Sequence, residues 1–502
     1  MTNKTQLIKT HEEYRDKIMA YYLALGILNY DNDTIAPKKS LIEKSKYQSI
    51  LSMEYYKIIT SNEYIEVNDK LYDIKDSLSK DLSREITLNR KSIDRLRKIP
   101  SDLYQEYNEL MSVSYVKWLE AKEKSDFSIF APSLKRLIEI SKEFAKYYGL
   151  INNNVYDTLL DDYEEGMNTE ILDNFFGLLR DRITPLLEKI DKSKVIIRDD
   201  FSKAKVNHDK QMDLTKFALK EIGFDFNRGV IGETEHPFTS GITPNDVRIT
   251  THIYEDMFFS NIFSTVHEGG HALYEMNLDK SLNGTFLHGG TSMAIHESQS
   301  RFYENVIGRS KEFIHRIYKK VIQKLPKEYK DVTEEEMYLC ANKVERSLIR
   351  VEADELTYSL HIMVRYEMEK KMLNEDIDVY DLPKLWNELY EKYLGINVPN
   401  DREGILQDSH WASGSFGYFP SYALGNAIGI QILRTMEKDI DVFEKVNSGK
   451  IKDVGKWLKE NVYIYGKRVS PNELIELVTK EKFNPNYYIE YLENKFKDIY
   501  KI

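Results

Sequence analysis

Helical spacing of apolar residues, seldom interrupted, limits the folds open to this chain more than any other feature. Its 502 residues include only 23 Gly and 12 Pro, about 7% together against a usual ~12%. An all-β sandwich or barrel needs a turn every ~8–12 residues and would use more of both. Between positions 134 and 144, Leu134, Leu137, Ile138 and Phe144 fall near one face, with Lys and Glu between them. The segment 169–190 repeats the pattern with Ile171, Leu172, Phe175, Phe176, Leu178 and Leu179, and Asn168 stands where an N-cap would. Segments 348–372 and 383–393 are further helix candidates, and Phe130-Ala131-Pro132-Ser133 marks a break before a helix. Strand-like stretches are few: Val195-Ile196-Ile197, and Val247 to Thr250 within an expected short hairpin near 230–252. There is no Ser/Gly linker, charge block or internal repeat. The expected fold is all-α, almost entirely helical with a small β-hairpin element. It forms one large unit over residues 1–502, whose lobes could flank a deep groove.

Composition excludes several function classes. Apolar residues make up 41% and charged residues 30%, which suits a soluble globular chain with a sizeable core. The net charge of -11 makes it a poor general nucleic-acid binder. No stretch of ~20 apolar residues is present to span a membrane. The start, residues 1–17, is polar and mixed in charge. The run Met19 to Leu28 has the length of a signal-peptide core, but Asn29-Tyr30-Asp31 follows it instead of a small-residue cleavage site. It is expected to be a buried turn and a half of helix, and the protein to be cytoplasmic. The single cysteine, Cys340, rules out an intramolecular disulfide and any Cys-based zinc site. It is expected to be a half-buried small hydrophobe. Most of the 35 Tyr are expected to pack helices, with a few lining a wet groove.

The strongest chemical signal is His267-Glu268-Gly269-Gly270-His271. Histidines at i and i+4 share one helix face, so both imidazoles can reach one ion. Glu268 can hold an attacking water and take its proton. Phe259, Ile262, Phe263 and Val266 form a stripe leading into the motif. Two Gly inside a helix cost ~1 kcal/mol each relative to Ala, which implies that a backbone or a substrate comes close. A third His three residues beyond a Gly, as in one extended protease pattern, is absent: Tyr274 and Asn277 stand there. The third ligand is therefore expected to be a carboxylate on a following helix, 291–306, past the polar loop 277–290. Glu297, in His296-Glu297-Ser298, is the choice and Glu304 the fallback. Other clusters invite a role. They are His236-Pro237-Phe238, Asp246-x-Arg248-x-Thr250, Arg350 to Glu355, and His410 with the Gly-rich run to Tyr418 and Tyr422. Arginine suits a carboxylate grip through two parallel bonds. Neutral or cationic donors suit a tetrahedral oxyanion.

These motifs, taken in order, resemble the carboxypeptidase Taq family of zinc-dependent metallocarboxypeptidases. The matching set is His236-Pro237-Phe238, Asp246-x-Arg248-x-Thr250, His267-Glu268-Gly269-Gly270-His271, His296-Glu297-Ser298, Ile349-Arg350-x-x-Ala353-Asp354 and Gly417-Tyr418-Phe419-Pro420-Ser421-Tyr422. The resemblance runs nearly end to end. It departs at Tyr30-Asp31, where Trp-Asp is frequent, and at Val462 to Gly466, where His residues are common. It implies a helical fold with a long groove, a homodimer, and stepwise removal of C-terminal residues from peptides with broad specificity. It assigns metal binding to His267, His271 and Glu297, and the general base to Glu268. His410 and Tyr422 would stabilise the oxyanion. Arg350, or alternatively Arg248, would hold the terminal carboxylate, while His236 and Tyr418 would shape the substrate groove. Zinc suits two His and a carboxylate, although cobalt or manganese could occupy such a site. Two rival readings share these residues: an endo-acting metallo-oligopeptidase, and a non-catalytic helical binding protein with a structural metal.

Overall fold

The structure is a computed structural model that describes residues 3–325 and 327–502. Met1 and Thr2 of the polar start lie outside the described residues. The chain is 69% helical, with one small three-stranded sheet. The expected periodic segments are helices: Ala131–Tyr148, Thr169–Leu178 and Leu382–Leu394. Asn168 caps the second of these, its side chain accepting from the Ile171 N–H. A π-helical turn, Leu179–Ile183, continues it into Thr184–Asp191.

Four expectations need correction. The segment 348–372 is not helical throughout. Its helix is Glu355–Asn374, because the Asp354 carboxylate accepts from the N–H groups of Leu356 and Thr357 and so starts the helix there. The residues before it form a loop with a short 3-10 turn, Arg350–Glu352. The Val195–Ile197 stretch is not a strand. Ile196 is 95% exposed, and the three strands of the sheet pair only with one another. The region near 230–252 is more than a hairpin. Strand β2 (Thr239–Thr243) pairs antiparallel with β3 (Asp246–Thr251), and β1 (Gly229–Glu233) pairs parallel with the far side of β3. Segment 234–238 carries the chain across, which leaves β2 as an edge. Finally, Met19 to Leu28 is not buried. It lies within the helix Lys4–Thr34, with Tyr22 54% and Leu23 44% exposed. These apolar side chains do not face the core: Met19, Tyr22, Leu23 and Gly26 line a cavity of about 800 Å³.

That cavity separates the N-terminal helices from the rest. Leu7, Val67, Leu71 and Ile86 form one small core there, and Ile18, Tyr64 and Ile93 another. The main core runs from Trp118 to Tyr500 and includes Cys340 as a half-buried packing residue, as expected. The opposite wall of the cavity is built from Asp161 to Tyr163, Ser240 to Thr243 on β2, and Thr291 and Ser292. The expected deep groove is thus present.

The helix Phe258–Asn277 passes through the centre of the main core. Phe258, Ile262, Phe263 and Val266 are buried, and β2 and β3 lie along it. A Cβ on Gly269 would lie 2.6 Å from Ile222, and one on Gly270 would lie 2.7 Å from the Ser300 Cα. The two glycines therefore admit neighbouring helices, His208–Ile222 and Met293–Arg301. Gly270→Ala is expected to cost about 1–3 kcal/mol through overpacking against rigid backbone. Gly177→Ala, on a helix with the nearest atom at 3.6 Å, should be neutral or stabilising. Comparative thermal unfolding of the two variants checks this.

Candidate active site

Three elements bring the expected ligands together. The helix Phe258–Asn277 presents His267 and His271 one turn apart. Met293–Arg301 carries Glu297, and Ser292 caps that helix by accepting from Ile295. Most of the helix is buried, and it runs into a π-helical turn, Phe302–Gly308. Ligand atoms of His267, His271 and Glu297 lie within 4.8 Å of one another. Glu297 Oε2 is 3.7 Å from His267 Nε2 and 3.5 Å from His271 Nε2.

Every other polar atom of this trio has a partner. Glu304 Oε2 accepts from His267 Nδ1 at 2.9 Å. His271 Nδ1 shares a proton with His296 Nδ1 at 2.6 Å, and His296 Nε2 donates to Glu275 Oε1 at 2.7 Å. Arg301 Nε donates to Glu297 Oε1 at 2.7 Å, and its Nη1 donates to Glu304 Oε2 at 3.0 Å. Both Nε2 atoms and Glu297 Oε2 are thus left facing a common point. Neutral imidazoles and one carboxylate oxygen, each fixed by a hydrogen bond from behind, form a donor set that fits a divalent transition metal. Electrostatics differ between the two rings: at His267 burial is outweighed by the Glu297 and Glu304 carboxylates, which raise it above the ordinary value. Burial pushes His271 down to about 3, which favours the neutral ring. Burial opposes ionisation of Glu297, yet Arg301 and the two imidazoles hold it well below the usual carboxylate range.

Glu268 lies within the field of His267 and Glu297. It is 7% exposed, and its Oε2 accepts from Thr239 Oγ1 on β2 at 2.6 Å. Burial raises its carboxyl above the ordinary range. His410 and Tyr422 meet, as His410 Nε2 and the Tyr422 hydroxyl lie 3.2 Å apart. Burial keeps His410 uncharged, down to about 4. Tyr418 packs edge-on against Tyr422 and Tyr163, and the charge of Glu297 reaches both Tyr418 and Tyr422.

The two candidate arginines separate. Arg350 lines a cavity of about 430 Å³ together with His267 and Glu304. Arg248 is engaged by Asp246 through two 2.8 Å bonds and lies over the Tyr30 ring, linking the sheet to the N-terminal helix. It lines neither cavity. His236 is exposed in the loop between β1 and β2 and makes no hydrogen bond among the described residues. Its neighbour Phe238 packs on Tyr30.

Glu304, the fallback ligand from the sequence, accepts from His267 Nδ1 and lies behind that ring. Several other residues were not singled out from the sequence. Arg301 lies four residues after Glu297 and three before Glu304, a helical spacing that could have flagged it. Glu275 falls four residues after His271 on the same helix face. Asp408 and Arg365, which hold Arg350, carry no local signal because they meet only through tertiary contact.

Residues 10–496 match the carboxypeptidase Taq (M32) metallopeptidase family. Carboxypeptidase 1 of Bacillus subtilis (strain 168) is 42% identical over 485 residues, which covers 96% of this chain and 97% of the relative. Thermostable carboxypeptidase 1 of Pyrococcus furiosus is 37% identical over 487 residues, covering 96% and 97%. The crystal structure of an M32 carboxypeptidase from Deinococcus radiodurans superposes with a TM-score of 0.95 at 32% identity, covering 99% of this chain and 100% of that one. This chain belongs to the carboxypeptidase Taq (M32) metallopeptidase family and is a metal-dependent carboxypeptidase.

Proposed function

We propose that this carboxypeptidase removes C-terminal residues from peptides of broad sequence, with zinc as the metal and Glu268 as general base. The observation that carries this reading is the shared cavity. His267, a ligand candidate, and Arg350, a carboxylate grip, line the same 430 Å³ space. A peptide held there by its free C-terminus presents its last bond to the ligand cluster.

A divalent ion held by His267 Nε2, His271 Nε2 and Glu297 Oε2 would supply Lewis-acid polarisation and a more acidic water. Thr239 orients the Glu268 carboxylate. Glu268 takes the proton of the attacking water and delivers it to the departing amine nitrogen. Its raised proton affinity suits both steps. Tyr422 donates to the developing oxyanion, and the neutral His410 ring at 3.2 Å orients that hydroxyl or donates beside it. Arg350 fixes the terminal carboxylate. The apolar helix face at Met19 to Gly26 and the β2 edge line the groove for the rest of the peptide.

The same reading takes the chain as one peptidase unit of two lobes, cytoplasmic and a homodimer, acting on peptides and not on nucleic acid. The lone Cys340 supports a reducing compartment. No helix among the described residues is long and apolar enough to cross a membrane. The helix Leu41–Ile59 buries none of its residues and leaves Ile42, Tyr47, Ile50 and Met53 exposed, which supports an assembled state. Sedimentation equilibrium measures that state.

Three outcomes are expected. Glu268→Gln should keep its metal, read by elemental analysis, while turnover falls by about 10²–10⁴-fold; full activity would remove Glu268 from the mechanism. Glu297→Ala should lose bound metal, and Glu304→Gln should weaken metal affinity about 10–100-fold with the fold retained. Competition with a chelating dye measures both. Mass spectrometry of a free-acid peptide and its C-terminal amide should show chelator-sensitive ladders of single-residue losses from the free acid only. Internal cuts in both peptides would favour an endo-acting oligopeptidase instead.

A further inference from the structure

Arg350 does not stand alone. Its Nε and Nη2 both donate to Asp408 Oδ1, at 3.1 and 2.8 Å, and its Nη1 donates to the Tyr358 hydroxyl at 3.1 Å. A guanidinium carries five N–H groups, so one remains on each of Nη1 and Nη2. Its side chain is 9% exposed, where it borders the cavity shared with His267. The second oxygen of Asp408 is already taken. Oδ2 accepts from Arg365 Nε at 2.7 Å. Arg365 is fully buried and lines neither cavity. It donates to the His361 carbonyl at 2.9 Å and to Gln407 Oε1 at 3.1 Å, and its guanidinium lies over the Trp386 ring.

The cluster therefore holds two guanidiniums against one carboxylate. The other titratable groups facing it add no compensating anion. Tyr358, Tyr390 and Tyr422 are phenols, burial holds His361 and His410 uncharged, and Lys122, whose charge reaches Asp408, is a further cation. Neither arginine has a second carboxylate partner among the described residues. A buried charge without a partner is costly. A peptide's terminal carboxylate on the free N–H groups of Arg350 would bring the cluster to two guanidiniums and two carboxylates. Without Arg365, Arg350 and Asp408 would form a closed neutral pair, and an incoming carboxylate would face Asp408 unopposed.

We propose that Arg365, which cannot touch a substrate, enables capture of the terminal carboxylate by offsetting Asp408 and so leaving the charge of Arg350 for the peptide. Arg365 is thus a positioning residue whose effect is electrostatic as well as mechanical. The proposal rests on the carboxypeptidase reading of Arg350, and it adds a determinant of the preference for a free C-terminus.

The test uses the full-length, metal-loaded protein and one short peptide as free acid and as C-terminal amide. Affinity is measured by calorimetry in the Glu268→Gln background, and KM and kcat are measured in the parent. Arg365→Gln should lower the free-acid preference about tenfold, the equivalent of ~1.4 kcal/mol, mainly through KM. Arg365→Lys, which keeps the charge, should retain most of the preference. The double variant Arg365→Gln/Asp408→Asn leaves Arg350 as the only guanidinium, with no carboxylate against it, and should recover preference relative to Arg365→Gln. An unchanged preference in Arg365→Gln would overturn the proposal, as would equal losses in all three variants, which a purely structural role predicts. If Arg365→Gln does not fold, Asp408→Asn and the double variant decide. With Asp408 neutralised Arg365 has no carboxylate charge to offset, so the two should show similar preference, and a further loss of about tenfold in the double variant relative to Asp408→Asn would overturn the proposal. A parent that binds and cleaves acid and amide alike would overturn the reading of Arg350 itself, and this proposal with it.

Discussion

The site depends on one close passage of backbones. The helix Met293–Arg301 runs between Phe258–Asn277 and Pro420–Met436, and glycines on both neighbours make room for it. A Cβ on Gly270 would meet the Ser300 Cα at 2.7 Å, and one on Gly425 would meet Glu297 Cγ at 2.6 Å. A wider spacing would carry Glu297 away from the two imidazoles, whose nitrogens stand 3.5 and 3.7 Å from its Oε2. The glycines weaken their own helices by ~1 kcal/mol each, and the close packing of the ligand set is what that loss permits.

Around this passage, buried charges hold one another. Arg301 grips Glu297 and Glu304 together and lies 4.0 Å from the Tyr358 ring. The Tyr358 ring faces the Arg301 guanidinium, and its hydroxyl oxygen accepts from Arg350 Nη1. The His267, His271 and Glu297 cluster, through Arg301, and Arg350 are thereby connected by one aromatic side chain. In a low-dielectric interior such pairs are stiff because breaking either partner strands a charge. Stiffness of this kind suits a site that must hold its groups in place before the substrate arrives.

Much of the fold was legible from spacing. Helices with an apolar stripe and a polar cap, such as that following Asn168, announce themselves locally. The errors came where a local rule competed with a distant partner. Asp354 takes the cap of its helix and ends the apparent pattern beginning at 348. The apolar run at Met19 faces a cavity instead of a core. Val195–Ile197 has strand composition but no strand beside it. The parallel pairing of β1 with β3 depends on how segment 234–238 crosses, which no alternation of residues records.

By itself, the sequence determined the helical class, the His pair at one helical turn with its neighbouring Glu268, and the candidacy of Glu297 and Arg350. Those follow from periods of 3.6 residues and from residue chemistry, both of which act along the chain. Tertiary structure alone decided that Glu304 meets His267 at Nδ1, behind the ring, and that Arg350 and not Arg248 shares a cavity with His267. It alone brought Asp408 and Arg365 to Arg350. These outcomes depend on distances between segments far apart in sequence, and electrostatic and hydrogen-bond energies change steeply with such distances.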